Sequence, residues 1–215
     1  TPFKALQMGS VWRADRPQRG RFRQFVQCDI DILGEPTCLA EIELILATTT
    51  LLGKLNFKDF KVRINERRIL KAMASYSGFT EDQYDQVFII LDKMDKIGWD
   101  GVKAELIESG YPEANVEKYV TMFDEMEKAE DALAYLSEKL SGVLEEDVIE
   151  NLRTIRTSVE ATAASQFQLV FDPTLVRGMS YYTGTIFEIE MAELGSSVAG
   201  GGRYDKMIGK FTGKD

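Results

Sequence analysis

Apolar and polar residues alternate over two stretches near the start of the chain, residues 5–13 and 21–33, and a period of two predicts a pair of β-strands. Between them Arg16-Pro17-Gln18-Arg19-Gly20 supplies the proline and glycine that punctuate a turn, so the pair reads as an antiparallel hairpin. In the second strand the alternation sets Phe22, Val26, Cys28, Ile30 and Ile32 on one face. Arg21, Arg23, Phe25, Gln27, Asp29 and Asp31 fall on the other. One face is expected to pack and the other to bind.

Leu39, Ile42 and Leu46 then recur at helical spacing over residues 39–55, followed by a strand at Phe60–Ile64 and a helix from Glu66. From Thr80 the pattern becomes a succession of amphipathic helices, with Thr80-Glu81-Asp82 and Pro112-Glu113 as starts and Gly98, Gly110 and Gly142 as stops. Strand character returns at Gln168–Phe171, Tyr181–Met191 and Ser196–Gly201. The order is α+β: residues 1–79 and 165–215 form two parts of one sheet region, and residues 80–164 form an all-helical insertion between them.

The 215 residues are 44% hydrophobic, enough for a real core. No apolar run reaches the roughly 18 residues of a membrane span, and Thr1-Pro2-Phe3-Lys4-Ala5-Leu6 lacks a signal-peptide pattern, so a soluble, cytoplasmic protein is expected, with no membrane partner. Cys28 and Cys38 form no C-x-x-C pair and are expected to be buried thiols. The chain has no histidine, which excludes Ser-His and Cys-His nucleophile systems and H-E-x-x-H metal sites within it. No metal-ligand spacing stands out. The net charge of −9 is uneven: residues 81–160 hold 21 Asp and Glu against 8 Lys and Arg, leaving 14 acidic against 18 basic residues elsewhere. Phosphate attraction therefore belongs to the outer parts of the chain.

Arg13, Arg16, Arg19, Arg21 and Arg23 crowd around the hairpin tip, where guanidinium groups can make bidentate, charge-assisted bonds to phosphate. A solvated arginine loop is the plain alternative. The polar face of the second strand favours a site: Phe25 offers a flat surface, Gln27 a donor and an acceptor, and Asp31 a carboxylate on the side of Arg21 and Arg23. Two further segments stand out, Leu175-Val176-Arg177-Gly178-Met179-Ser180-Tyr181-Tyr182-Thr183-Gly184 and Gly200-Gly201-Gly202-Arg203-Tyr204-Asp205. Taken alone, the first reads equally as an aromatic strand and the second as a tight turn. The second matches neither a P-loop nor a dinucleotide fingerprint.

Together, VWRADRPQRGRFRQFVQCDID, LVRGMSYYTGTIFEIE and VAGGGRYDKMIG resemble, in order and spacing, the histidyl-tRNA synthetase family of class II aminoacyl-tRNA synthetases. The first resembles the second class II motif, the other two resemble histidine-specific signatures, and the intervening helices resemble the family's insertion. The resemblance implies a class II synthetase-like antiparallel sheet with flanking helices, interrupted by the helical insertion. It further implies a ligase that activates histidine with ATP and Mg²⁺ to histidyl-adenylate and transfers it to tRNA(His), acting as a homodimer. By motif position, Arg13 would hold the α-phosphate, Asp15 and Arg21 would flank the nucleotide, and Phe25 would stack on adenine. Gln27 and Arg177 would meet the substrate carboxylate and the reacting phosphate, and Asp31 and Tyr182 would face the imidazole with Tyr181 close by. Arg13 and Arg177 are the residues expected to carry the chemistry.

Against the family pattern, the chain begins just before the second motif, ends before the third and has no anticodon-binding domain, so by itself it is expected to be inactive as a synthetase. Ser180 stands where the family has Asp. The competing reading is a non-catalytic, synthetase-like regulatory subunit of histidine biosynthesis or a tRNA-sensing domain, which binds without forming an adenylate. A generic nucleic-acid-binding domain fits poorly, because the helical segment is acidic, and any tRNA contact there would fall to Lys93, Lys96 and Lys103. Replacing Arg177 by Ala is expected to lower the rate of histidine activation by roughly a hundredfold or more, the effect of removing a preorganised transition-state donor. A near-normal rate of histidine-dependent pyrophosphate exchange in that variant would remove Arg177 from the mechanism.

Overall fold

The computed structural model describes residues 1–17, 21–176, 181–193 and 196–213. Strands β1 (Phe3–Trp12) and β2 (Gln24–Leu33) form an antiparallel hairpin, followed by α1 (Leu39–Lys54), β3 (Phe60–Glu66) and α2 (Arg67–Tyr76). A single 3-10 turn at Glu81–Gln83 leads into α3 (Tyr84–Leu91), α4 (Met94–Glu108), α5 (Glu113–Lys128), α6 (Ala132–Lys139) and α7 (Glu146–Thr162). The chain then returns through β4 (Gln168–Phe171), β5 (Thr185–Met191), β6 (Ser196–Gly202) and α8 (Met207–Thr212). The fold is the α+β arrangement that the sequence implies.

The larger sheet runs β4-β3-β5-β6, with β3–β5 and β5–β6 antiparallel and β3–β4 parallel. The parallel pair follows from the helices between β3 and β4, which carry the chain back to the end of the sheet at which β3 begins. On one face Phe60, Val62 and Ile64 of β3 lie in register with Met191, Ile189 and Phe187 of β5, all buried, with α7 packed on β3 and α1 on α7. On the other face Arg63 pairs with Glu188.

Arg63 is nearly buried, a costly place for a charge unless its donors are satisfied. Its Nε donates to Asp172 Oδ2 at 2.6 Å and its Nη1 to Glu190 at 2.5 Å, with Asp95 of α4 a further 3.5 Å ion pair. Burial alone would lower its pKa; Asp172 and Glu190 outweigh burial and raise it. Two positions on, the fully buried Asn65 donates to the carbonyls of Pro173 and Leu175 and accepts from the Glu66 amide. The centre of the sheet thereby fixes residues 172–176, the approach to Arg177.

The helical segment has its own aromatic cluster, where Phe79, Tyr119 and Phe123 pack edge to face and Trp99 leans on Phe123. Thr80 and Gln83 form a reciprocal capping box and Pro112 is the residue before α5, matching the expected starts. Gly98, at φ 67°, kinks α4, as its glycine allows; Gly110 and Gly142 also take positive φ near helix ends. Lys93 is paired with Glu105 and Lys103 with Glu117, so of the three lysines expected to meet tRNA two are already neutralised.

Three expectations need correction. The apolar face of the hairpin does not pack over most of its length: Leu6, Met8, Trp12 and Val26 are 70%, 76%, 70% and 68% exposed, and α1 reaches that face only at its root, where Lys4 pairs with Glu43. Cys28, on the same face, is exposed, and Cys38 is partly exposed rather than buried. The strand expected from Tyr181 begins only at Thr185, since backbone pairing with β3 starts at the Glu66–Thr185 pair. Among the described residues no helix is long and apolar enough to cross a membrane.

Asp131 caps α6 by accepting from the Leu133 and Ala134 amides, and its other oxygen accepts from Arg153 at 2.7 Å. The Arg153 bond and the capped amides hold this carboxyl below its ordinary value, so its contribution is present above the unfolded aspartate range and disappears as pH falls through the lowered one. Asp131→Ala is expected to cost about 1 kcal/mol in urea unfolding at pH 7, with the difference from wild type shrinking as pH falls below about 4.

Candidate functional site

The register of the hairpin decides which side chains share its polar face. Val11 lies opposite Phe25, Gly9 opposite Gln27, Gln7 opposite Asp29 and Ala5 opposite Asp31, so small or slender residues of β1 leave room beside the functional ones of β2. Near the tip, the Arg13 amide donates to the Arg23 carbonyl at 2.8 Å and extends the pairing by one residue. The Arg13 guanidinium lies 4.7 Å from the Phe25 ring centroid and donates to Gln27 Oε1 at 3.2 Å. Arg21 and Asp15 pair at 3.1 Å, and Arg23 Nε donates to the Asp15 carbonyl. Four residues expected at a nucleotide, Arg13, Asp15, Arg21 and Phe25, thus form one contiguous group. Arg19 and Ser180 lie outside the described residues, as does Arg177.

Further down the same face, Gln27 Nε2 donates to both oxygens of Asp29, at 2.8 and 2.9 Å. Asp31 accepts a hydrogen bond from the hydroxyl of Tyr204, which follows β6. The hydroxyls of Tyr181 and Tyr182 are 3.4 Å apart and their ring centroids 4.5 Å apart, and Tyr182 lies against the backbone of Gly202. Burial, then the bond to Asp31, pushes the Tyr204 phenol well above its usual range, so it remains a proton donor. The structure therefore joins Asp31 to Tyr204 at the root of the hairpin, with Tyr182 against the adjoining Gly202 and Tyr181 beside it, while Gln27 lies further up the strand, bonded to Arg13 and Asp29.

The sequence marks the segment that builds this junction only as a glycine-rich turn and gives Arg203, Tyr204 and Glu41 no individual role. Arg203 Nε donates to Glu41 Oε1 at 2.7 Å, its Nη2 to the Thr37 carbonyl at 2.7 Å and its Nη1 to Asp205 Oδ1 at 3.0 Å. Its backbone is bonded on both sides to the β5 approach, Thr183 N to Arg203 O and Arg203 N to Thr185 O, each 2.8 Å. The bond to the buried Glu41 outweighs the cost of burial and raises the Arg203 pKa. Glu41 is a carboxylate on the inner side of a helix, a mismatch with its apolar surroundings that could have flagged a partner. A cavity of about 150 Å³ opens beside the junction, lined by Asp31, Leu33, Glu41, Phe187, Arg203 and Tyr204 among others. Behind it, Glu66 is buried, which raises its pKa against the pull of Arg68, and accepts from Thr185.

A family profile described as Histidyl-tRNA synthetase matches residues 1–215. The histidine–tRNA ligase of Leifsonia xyli subsp. xyli is 46% identical over 217 residues, covering 99% of this chain and 50% of the relative. That of Flavobacterium johnsoniae is 41% identical over 214 residues, covering 98% and 45%. The crystal structure of histidyl-tRNA synthetase from Nostoc sp. PCC 7120 superposes with a TM-score of 0.80 at 29% identity, over 99% of this chain and 50% of that one. The chain spans about half the length of the curated relatives it matches.

The last two glycines of β6, Gly201 and Gly202, are not equivalent. A Cβ at Gly202 would meet the Thr185 carbonyl at 2.7 Å and Tyr182 at 2.9 Å, whereas at Gly201 it would touch only the Phe187 ring edge at 3.4 Å. Gly202→Ala is expected to cost about 1–3 kcal/mol by overpacking, and Gly201→Ala clearly less. Thermal unfolding of the two variants checks the order.

Proposed function

This chain belongs to the histidyl-tRNA synthetase family, and from that premise we propose that the protein activates histidine with ATP and transfers the histidyl group to tRNA(His). What supports this reading above all is the bond between Tyr204 and the Asp31 carboxylate at the end of an arginine-rich strand face, with the Tyr181–Tyr182 pair reaching the neighbouring Gly202 through Tyr182. An imidazole offers a ring N–H to a carboxylate and a second nitrogen to a phenol, so Asp31 and Tyr182 are its partners, with Tyr181 beside them. A site whose buried groups need those bonds rejects side chains that leave them unpaired.

Up the strand, Arg13 gives up its place over Phe25 to adenine and takes the α-phosphate, while Asp15 and Arg21 flank the nucleotide. Gln27 orients the substrate carboxylate, and Arg177 meets the reacting phosphate. The step joins a carboxylate oxygen of histidine to the α-phosphorus and breaks the bond from that phosphorus to the bridging oxygen of pyrophosphate, which leaves. The nucleophile is already ionised, so no general base is required, and a chain without histidine suffices: alignment and neutralisation of charge carry the reaction.

Magnesium belongs to this reading as the ion carried on the ATP phosphates; among the described residues no three or more carboxylate or cysteine side chains converge to hold a metal. The helices of residues 80–164 form the insertion, and their contact with the tRNA acceptor arm rests on the exposed Lys96, since Lys93 and Lys103 are paired. A homodimer in the cytoplasm completes the picture. The uncovered apolar face of the hairpin supports it, because such a face needs a protein cover.

The full-length protein is expected to exchange pyrophosphate into ATP only when histidine is present. Histidine binding without exchange would instead mark the non-catalytic regulatory relative.

A further inference from the structure

A carboxamide is a donor at one end and an acceptor at the other, so what it meets on each side decides which end faces a ligand. Gln27 meets opposite charges. Its Nε2 donates to Oδ1 and Oδ2 of Asp29, at 2.8 and 2.9 Å, and its Oε1 accepts from Arg13 Nη2 at 3.2 Å. Turned over, the amide would set its oxygen against the Asp29 carboxylate and its N–H groups against the Arg13 guanidinium, two repulsive contacts in place of two charge-assisted bonds.

The first strand takes no part in this choice. Gly9 stands opposite Gln27, and a Cβ there would meet nothing within 4 Å, so no side chain at that position of β1 steadies the amide. Asp29 and Gln27 are two positions apart on one strand face, where period-two spacing makes them neighbours. Among the described residues no ion pair joins Asp29 to Arg13 directly, and the amide is the link between them. The Arg13 guanidinium uses one N–H on Gln27 and lies 4.7 Å from the Phe25 ring centroid, which leaves its other donors for a phosphate.

We propose that Asp29 is a positioning residue for histidine activation: it fixes the Gln27 amide with its oxygen towards Arg13, and that oxygen holds the guanidinium where the α-phosphate is met. This rests on the reading of the strand face as the ATP site and extends it to a side chain that touches neither substrate. The order Asp29, Gln27, Arg13 runs towards the hairpin tip, so a carboxylate near the middle of β2 acts on the reacting phosphate two links away.

Histidine-dependent pyrophosphate exchange by the full-length protein tests this, with kcat and KM read separately and competent sites counted by ATP titration. Asp29→Ala removes the acceptor and is expected to lower kcat roughly tenfold, while the KM for ATP stays within about threefold, because the lost alignment matters most where charge develops. Asp29→Asn keeps a carbonyl oxygen for Gln27 Nε2 and is expected to hold kcat within about threefold of wild type. In a Gln27→Ala background Asp29→Ala is expected to add less than about twofold, since the link is already gone. An Asn variant as slow as the Ala variant would show that the charge alone matters, and losses that multiply in the double variant would show that Asp29 acts without Gln27. Either result, or a raised KM for ATP with kcat unchanged, overturns the proposal and leaves the activity standing. Wild-type protein that exchanges no pyrophosphate would remove both.

Discussion

The site depends on one ion pair. Arg203, at the end of the glycine strand, is held by Glu41 on the inner side of α1, and this contact joins the sheet to the helix that follows the hairpin. Both partners are largely removed from water, so each needs the other: breaking such a pair by deleting one side costs about 3–5 kcal/mol, because a charge is left buried without compensation. From that anchor the geometry follows. Tyr204 is delivered to Asp31, Thr183 is bonded to the Arg203 carbonyl, and Tyr182 is seated against Gly202, whose missing side chain makes the approach possible.

A second buried arginine does the same at the other end of the sheet. Arg63 and Asn65 tie residues 172–176 to β3, so the segment that enters the signature with Arg177 leaves the sheet from a fixed point. Two rigid attachments, one before and one after the tyrosine pair, are what a site without a general base requires. In the proposed reaction the work is to hold ionised groups in line, and alignment is only as good as the scaffold that sets it.

Much of this was legible in the chain. Period-two alternation revealed the hairpin and grouped Arg21, Phe25, Gln27 and Asp31 on one face, because strand geometry alone dictates that grouping. Helix starts at Thr80 and Pro112 and the break at Gly98 followed from local backbone chemistry. What escaped notice was long-range. Nothing local marks Arg63 or Asn65, because Asp172, Pro173 and Leu175, which they bond, lie more than a hundred residues away. Glu41 and Arg203 are 162 positions apart, so neither carries a local signal of the other. The hairpin differs in another way: alternation puts Val26 and Ile30 on one face, to which the register adds Leu6 and Met8, but it does not say whether anything covers that face.

The central claim is that the hairpin face and the tyrosine segment form a single pocket in which Asp31 reads the imidazole. A crystal structure of the full-length protein with histidine tests it most directly. The account requires the imidazole ring N–H within about 3 Å of the Asp31 carboxylate, with the ring between the strand and Tyr182. Histidine bound away from Asp31, or seated there with its ring turned outward and its N–H unpaired, would contradict it.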